Sequence, residues 1–188
     1  GHILKLDLRS WETLIWQGRA AELLGQFRHA LEQANLIGHV PLQARRHLDM
    51  AWKISELHRT AVRYELSHLR DALLKVDVPV VLLKGAAYCA QNNRAAAGRV
   101  FNDIDILVPK ASLNRAEEQL LGAGWIPTHL NDYDQRYYRE WMHELPPMEH
   151  KNRSTVLDVH HTIIPPTSGI RLAPQKLFDS ALPVQDPE

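Results

Sequence analysis

The chain has one cysteine, Cys89, in 188 residues. An internal disulfide is therefore excluded, and the usage fits a reducing, cytoplasmic setting. Charge of one sign is missing too: 22 Lys and Arg stand against 22 Asp and Glu. No bulk field draws such a protein to nucleic acid or to an anionic membrane. Aromatic residues are only 7% of the chain, and they are not interleaved with basic residues as in a single-strand binder. No apolar run approaches the length of a bilayer span, and no secretory leader is present. Repeats and low-complexity stretches are absent. Gly1-His2, without an initiator Met, reads as a tag remnant.

With 45% hydrophobic and 23% charged residues, the composition is that of an ordinary globular protein with a real core. Ser10-Trp-Glu-Thr reads as an N-cap before apolar residues at helical spacing from Leu14 to Leu31. After Gly38 and Pro41, a second helix is expected from about Leu42 to Lys75. The texture then changes. Pro79–Leu83 is a short apolar strand ended by Lys84-Gly85, and a helix-like stretch reaches Gln91. Another strand covers Asp103–Val108, a helix Ser112–Leu121, and Trp125-Ile126 opens a third strand. Pro146-Pro147 forbids a helix through Tyr137–His150, and Asp132-Tyr-Asp134 reads as a turn. Ser154–Ile163 is a strong strand, and Pro174–Ser180 a short helix. The expected division is a helical region over 1–76, a core over 77–168 and a tail over 169–188. That tail has no terminal cap, as a truncated chain would show.

The strand Asp103–Val108 carries the strongest chemical signal. Alternation puts Asp103 and Asp105 on one face, with Cα atoms about 6–7 Å apart. Paired carboxylates in an apolar setting repel unless a cation lies between them, and a divalent metal is the obvious one. Upstream, the Lys84-Gly85 turn opens a helix whose N–H groups suit phosphate, and Gly85 would let backbone approach an oxyanion closely. Downstream, Asp158 sits between Leu157 and Val159. If its strand lies beside Asp103–Val108, it completes a three-carboxylate cluster able to hold two Mg²⁺ about 3.5–4 Å apart. His160 shares the Asp158 face. Arg99 is either a phosphate contact or the ion-pair partner of an aspartate. His143, His150, His160 and His161 are expected to be satisfied structural histidines rather than zinc ligands.

At these residues the chain resembles the DNA polymerase-beta-type nucleotidyltransferase superfamily, and within it a bacterial family of uncharacterised nucleotidyltransferases. The resemblance rests on Leu83-Lys-Gly-Ala86, on Arg99 ahead of Asp103–Val108, and on Leu157-Asp-Val-His160. It covers roughly residues 79–164. It implies an α+β fold, a mixed-sheet nucleotidyltransferase core with flanking helices; the helical N-terminal region ahead of that core is read from periodicity alone. It also implies transfer of a nucleoside monophosphate from a triphosphate to an acceptor that the sequence does not identify. Mg²⁺ or Mn²⁺ would be the cofactor, held by Asp103, Asp105 and Asp158, with Asp158 as base. Lys84, Gly85 and Arg99 would bind the nucleotide. The superfamily's usual turn is Gly-Ser or Gly-Gly, so Lys84 is a departure that leaves phosphate binding less secure than metal binding. Two rivals remain: a catalytically silent relative that binds or regulates, and a metal-dependent glycosyltransferase using the same aspartates on a nucleotide-sugar.

Overall fold

Five strands form one mixed sheet in the order β1-β2-β5-β4-β3, and seven α-helices accompany them among the described residues. The computed structural model describes residues 2–129, 131–170 and 173–184. Gly1 of the expected tag remnant and residues 171–172 and 185–188 of the expected tail lie outside them. The architecture is α+β. By contact it divides into one unit of residues 1–61 with 92–101 and another of 62–91 with 102–188.

The first unit is helical. Helix α1 (Leu8–Ala20) is capped by Asp7, whose Oδ1 accepts Ser10 N–H at 2.8 Å. The cap therefore lies three residues ahead of the Ser10 expected from sequence: both residue types cap, and the carboxylate takes the position. Where a single helix to Leu31 is expected, the chain breaks and restarts as α2 (Leu24–Gln33). Leu23 N–H bonds Gly18 O and Glu22 N–H bonds Arg19 O, with Glu22 left-handed at φ +57°. Those two bonds close a helix C-terminus that normally calls for glycine. An L residue held there costs about 1 kcal/mol. Glu22→Gly is accordingly expected to raise stability by about 0.5–1 kcal/mol, read as a higher urea midpoint with unchanged slope. Trp11, Ile15, Leu24, Leu31, Val40, Ala44 and Leu48 form the core of this unit. Its second chain segment, 92–101, docks through a backbone contact. A Cβ on Gly98 would lie 2.2 Å from Gly25 C, and one on Gly25 only 2.3 Å from Gly98 O.

Helix α3 (Leu42–Leu73) runs as expected, and its last three turns belong to the second unit. There the sheet is built from β1 (Val81–Leu82), β2 (Asp103–Leu107), β3 (Trp125–Pro127), β4 (Met148–His150) and β5 (Val156–His160). β1 and β5 are shorter than the apolar runs around them, at two and five residues. Between β1 and β2 comes α4 (Lys84–Ala90), and between β2 and β3 comes α5 (Leu113–Gly122). Strand β2 pairs parallel with β5, the one parallel pair in the described sheet. Ile104 and Ile106 of β2 and Leu157 and Val159 of β5 point to one face and are fully buried. Leu69 and Leu73 of α3, Ala116 and Leu120 of α5, and Trp125 complete that core. The aspartates are left on the other face.

Asp132–Arg136 is a short helix, α6, and continues into a wide turn over Tyr137–Trp141. The Asp132-Tyr-Asp134 turn expected from sequence is thus a first helical turn. Asn131 supplies the reason, since its Oδ1 accepts Asp134 N–H at 2.8 Å. Helix α7 (Pro174–Asp179) follows β5. No helix among the described residues is long and apolar enough to cross a membrane.

Candidate active site

The register of β2 against β5 sets the geometry. Asp105 is directly opposite Asp158, Asp103 opposite Val156, and Leu107 opposite His160. Facing residues on paired strands share a face, so Asp103, Asp105, Asp158 and His160 all project from the side away from the core. Asp105, Asp158 and His160 meet with ligand-type atoms within 4.8 Å of one another. Asp103 stands at the exposed start of β2, outside that group but on its face.

Asp105 is the hub and is only 2% exposed. Its Oδ1 accepts from Lys84 Nζ at 2.5 Å and lies 2.9 Å from His160 Nε2. Burial pushes the Asp105 carboxyl up, but the hydrogen bonds and charges of His160 and Lys84 outweigh it and hold it below the usual value. Burial pulls Lys84 down, and the bond to Asp105, with the charges of Asp105, Asp103 and Asp158, more than reverses this. Asp158 is the opposite case. Burial, then the charges of Glu144, Asp105 and Asp103, raise its carboxyl from 3.8 to about 6. Its Oδ1 is buried with no hydrogen-bond partner. A carboxylate whose proton affinity is raised to about 6 and whose oxygen is unpartnered can take a proton.

Lys84 opens α4 one residue after β1 and adopts φ +45°. A left-handed lysine is strained by about 1–2 kcal/mol. Leu83 N–H bonds Asp105 O at 2.9 Å, so β1 stays tied to β2 until the residue before the turn. Gly85, expected to let backbone approach an oxyanion closely, is buried in the first turn of α4 and has no positive φ. The chain places its strain on Lys84, whose ammonium the turn then delivers to Asp105. Arg99 belongs to the segment 92–101 of the first unit, where its N–H bonds Ala96 O at 3.2 Å.

Glu144 is the site residue that sequence reasoning misses. Leu145 N–H bonds Val159 O and His161 N–H bonds His143 O, each at 2.9 Å, so 143–145 lies antiparallel along the end of β5. Glu144 thereby faces His160, with Oε2 3.1 Å from His160 Nδ1. The pair is close but lacks hydrogen-bond geometry, since His160 Nδ1 has no hydrogen-bond partner. Of the four histidines expected to be satisfied, His150 is: Ala123 O lies 3.1 Å from Nε2, and Nδ1 accepts Asn152 N–H at 3.2 Å. His143 Nδ1, His160 Nδ1 and His161 Nε2 are buried without partners, so for those three the expectation is corrected. The His143 and His160 rings stack beside Glu144, whereas the His161 ring bonds the backbone of Met142.

A family model described as an uncharacterised nucleotidyltransferase matches residues 7–187. No curated protein and no solved structure matches the chain.

Proposed function

The chain belongs to the uncharacterised nucleotidyltransferase family, and on that premise we propose that it moves a nucleoside monophosphate from a triphosphate to an acceptor hydroxyl. The family implies a nucleotide substrate; the acceptor, the metal and the residue roles are our reading. The observation that carries it is the in-register pair Asp105–Asp158 on one face, with Asp158 Oδ1 unpartnered.

A hard divalent ion fits the donors here. Carboxylate oxygens are what Mg²⁺ or Mn²⁺ takes, and Asp103, Asp105 and Asp158 would hold it. Bound there, it would neutralise charge on the triphosphate and on the departing pyrophosphate. The chain's own groups do the rest. Asp158 Oδ1 takes the proton of the acceptor hydroxyl. The hydroxyl oxygen bonds to the α-phosphorus as the bond from that phosphorus to the bridging oxygen breaks, and the electron pair leaves with pyrophosphate. His160 holds Asp105 in place through Nε2. Lys84 uses one of its three N–H donors on Asp105 and keeps the others for phosphate oxygens, with 60% of its side chain exposed. Gly85 completes the proposed nucleotide contacts; the Arg99 expectation rests on sequence alone, from its place ahead of the Asp-Ile-Asp strand.

One observation favours a second reading, a silent nucleotide-binding relative. Lys84 already supplies a cation to Asp105, as a protein without catalytic metal would need. One assay separates the two. The protein is incubated with Mg²⁺ or Mn²⁺ and each α-phosphate-labelled triphosphate, with and without a cell extract as the source of acceptor. Label transferred by the wild type is expected to fall about 10²–10³-fold or more in Asp105→Ala. Metal-independent nucleotide binding without any transfer would favour the silent relative, and full transfer by Asp105→Ala would overturn the proposed residue roles.

A further inference from the structure

We infer that His143, Glu144 and His160 form a second cation site, for one borderline transition ion of the zinc class, sharing His160 with the carboxylate cluster. One ring nitrogen from each histidine and one Glu144 oxygen all lie within 4.8 Å of one another. His160 is 2% exposed. Its Nε2 is taken up by Asp105 Oδ1 at 2.9 Å, which leaves Nδ1 as the nitrogen turned toward Glu144. Nδ1 is buried, has no hydrogen-bond partner and lies 3.1 Å from Glu144 Oε2. His143 closes the third side. Its ring stacks on that of His160 with centroids 5.1 Å apart, and its Nε2 is 3.7 Å from the same Oε2.

The spacing and the chemistry agree on the ion. A tetrahedral centre with bonds of about 2.0–2.1 Å puts its ligands roughly 3.3–3.5 Å apart, and the two measured separations bracket that. Two imidazoles and a carboxylate suit zinc, whereas Mg²⁺ takes oxygens almost exclusively. A zinc-bound histidine commonly donates its other N–H to a carboxylate; here that carboxylate is Asp105. The backbone is already fixed, since 143–145 is bonded along β5. A fourth position stays open to water. Such an ion would lock the His160 tautomer and thereby aim Asp105, which makes His160 a positioning residue. Binding there requires no nucleotide, so it stands or falls apart from the transfer reaction.

The test is a zinc titration of chelator-stripped protein against a chromophoric competitor, in excess Mg²⁺ so that hard-ion sites are filled. One equivalent is expected to bind. His143→Ala and Glu144→Gln should each weaken it about 10-fold or more, while Asp103→Asn should bind as wild type does. Co²⁺ in place of zinc should give the visible absorption of a four-coordinate nitrogen–oxygen set, lost in both site variants. Glu144→Gln keeps the side-chain shape, so it decides the matter should His143→Ala fail to fold. No zinc bound, or zinc retained by Glu144→Gln but lost in Asp158→Asn, would overturn the assignment.

Discussion

Asp158→Asn is expected to abolish transfer and yet raise the thermal stability of the metal-free protein at pH 8. The Asp158 carboxyl is held at about 6 in the fold against 3.8 for an unperturbed one, chiefly by burial and then by Glu144, Asp105 and Asp103. A raised acid binds its proton more tightly when folded. Its contribution to stability is complete below about pH 3.8 and is lost as pH climbs through about 6. Above that window the fold carries an ionised carboxylate that has an unpartnered buried oxygen and negative neighbours. Each tenfold gain in proton affinity is worth about 1.4 kcal/mol, and with solvent access the whole effect comes to about 1–3 kcal/mol. Asparagine removes the charge and keeps the shape, so the variant should melt above the wild type at pH 8 and level with it at pH 4. Mg²⁺ should raise the wild-type melting temperature and leave the variant unmoved. Transfer should fall at least about 10²-fold with the base gone. Melting curves of both proteins at pH 4, 6 and 8 check this; a variant less stable at every pH would show that Asp158 is well partnered. The same residue would then limit stability and supply the chemistry, a common trade.

Gly98→Ala should cost about 3–5 kcal/mol, a large part of an ordinary domain's stability. Two penalties combine. Gly98 has φ +73°, and a Cβ there would lie 2.2–2.4 Å from Gly25 C, Gly25 O and Gln26 N. All three are backbone atoms, so no side chain can swing away; a chain segment must move. Gly25→Ala meets the same wall from the other side, with Gly98 O at 2.3 Å, but carries no φ penalty. It should therefore cost about 1 kcal/mol less. Urea unfolding of both variants checks the size and the order, and alanine tolerated at both positions would mean that the two segments do not touch.

Much of the candidate site is readable from residue types. Apolar flanks and strict alternation place Asp103 and Asp105 together, and the β-rich Val156–His160 run puts His160 with Asp158. That the two strands lie side by side is a condition the sequence alone leaves open, and the observed register meets it. Three things are not legible. The positive φ falls on Lys84 although its neighbour is the glycine, because the lysine gains an ion pair with Asp105 in that conformation. Glu144 reaches the site through a backbone pairing just ahead of Pro146-Pro147, which no periodicity in 137–150 announces. Residues 92–101 carry no mark that Gly98 will meet Gly25, since close backbone approach leaves no hydrophobic pattern. Local helix boundaries shift for the simplest reason: Asp7 and Ser10 are both good caps, and only the folded chain chooses.

The interleaving of the two units bears on the order in which the chain can fold as it is made. Helices α1 and α2 are made before the segment that seats against Gly25, which is complete only at residue 101, 40 residues after the first stretch of that unit ends at 61. At about 5–20 residues per second the gap is about 2–8 s. Through that interval the seat for Gly98 stays open, and β1 and α4 emerge before the strand that β1 must pair with. Slower synthesis over residues 62–101 would lengthen the exposure.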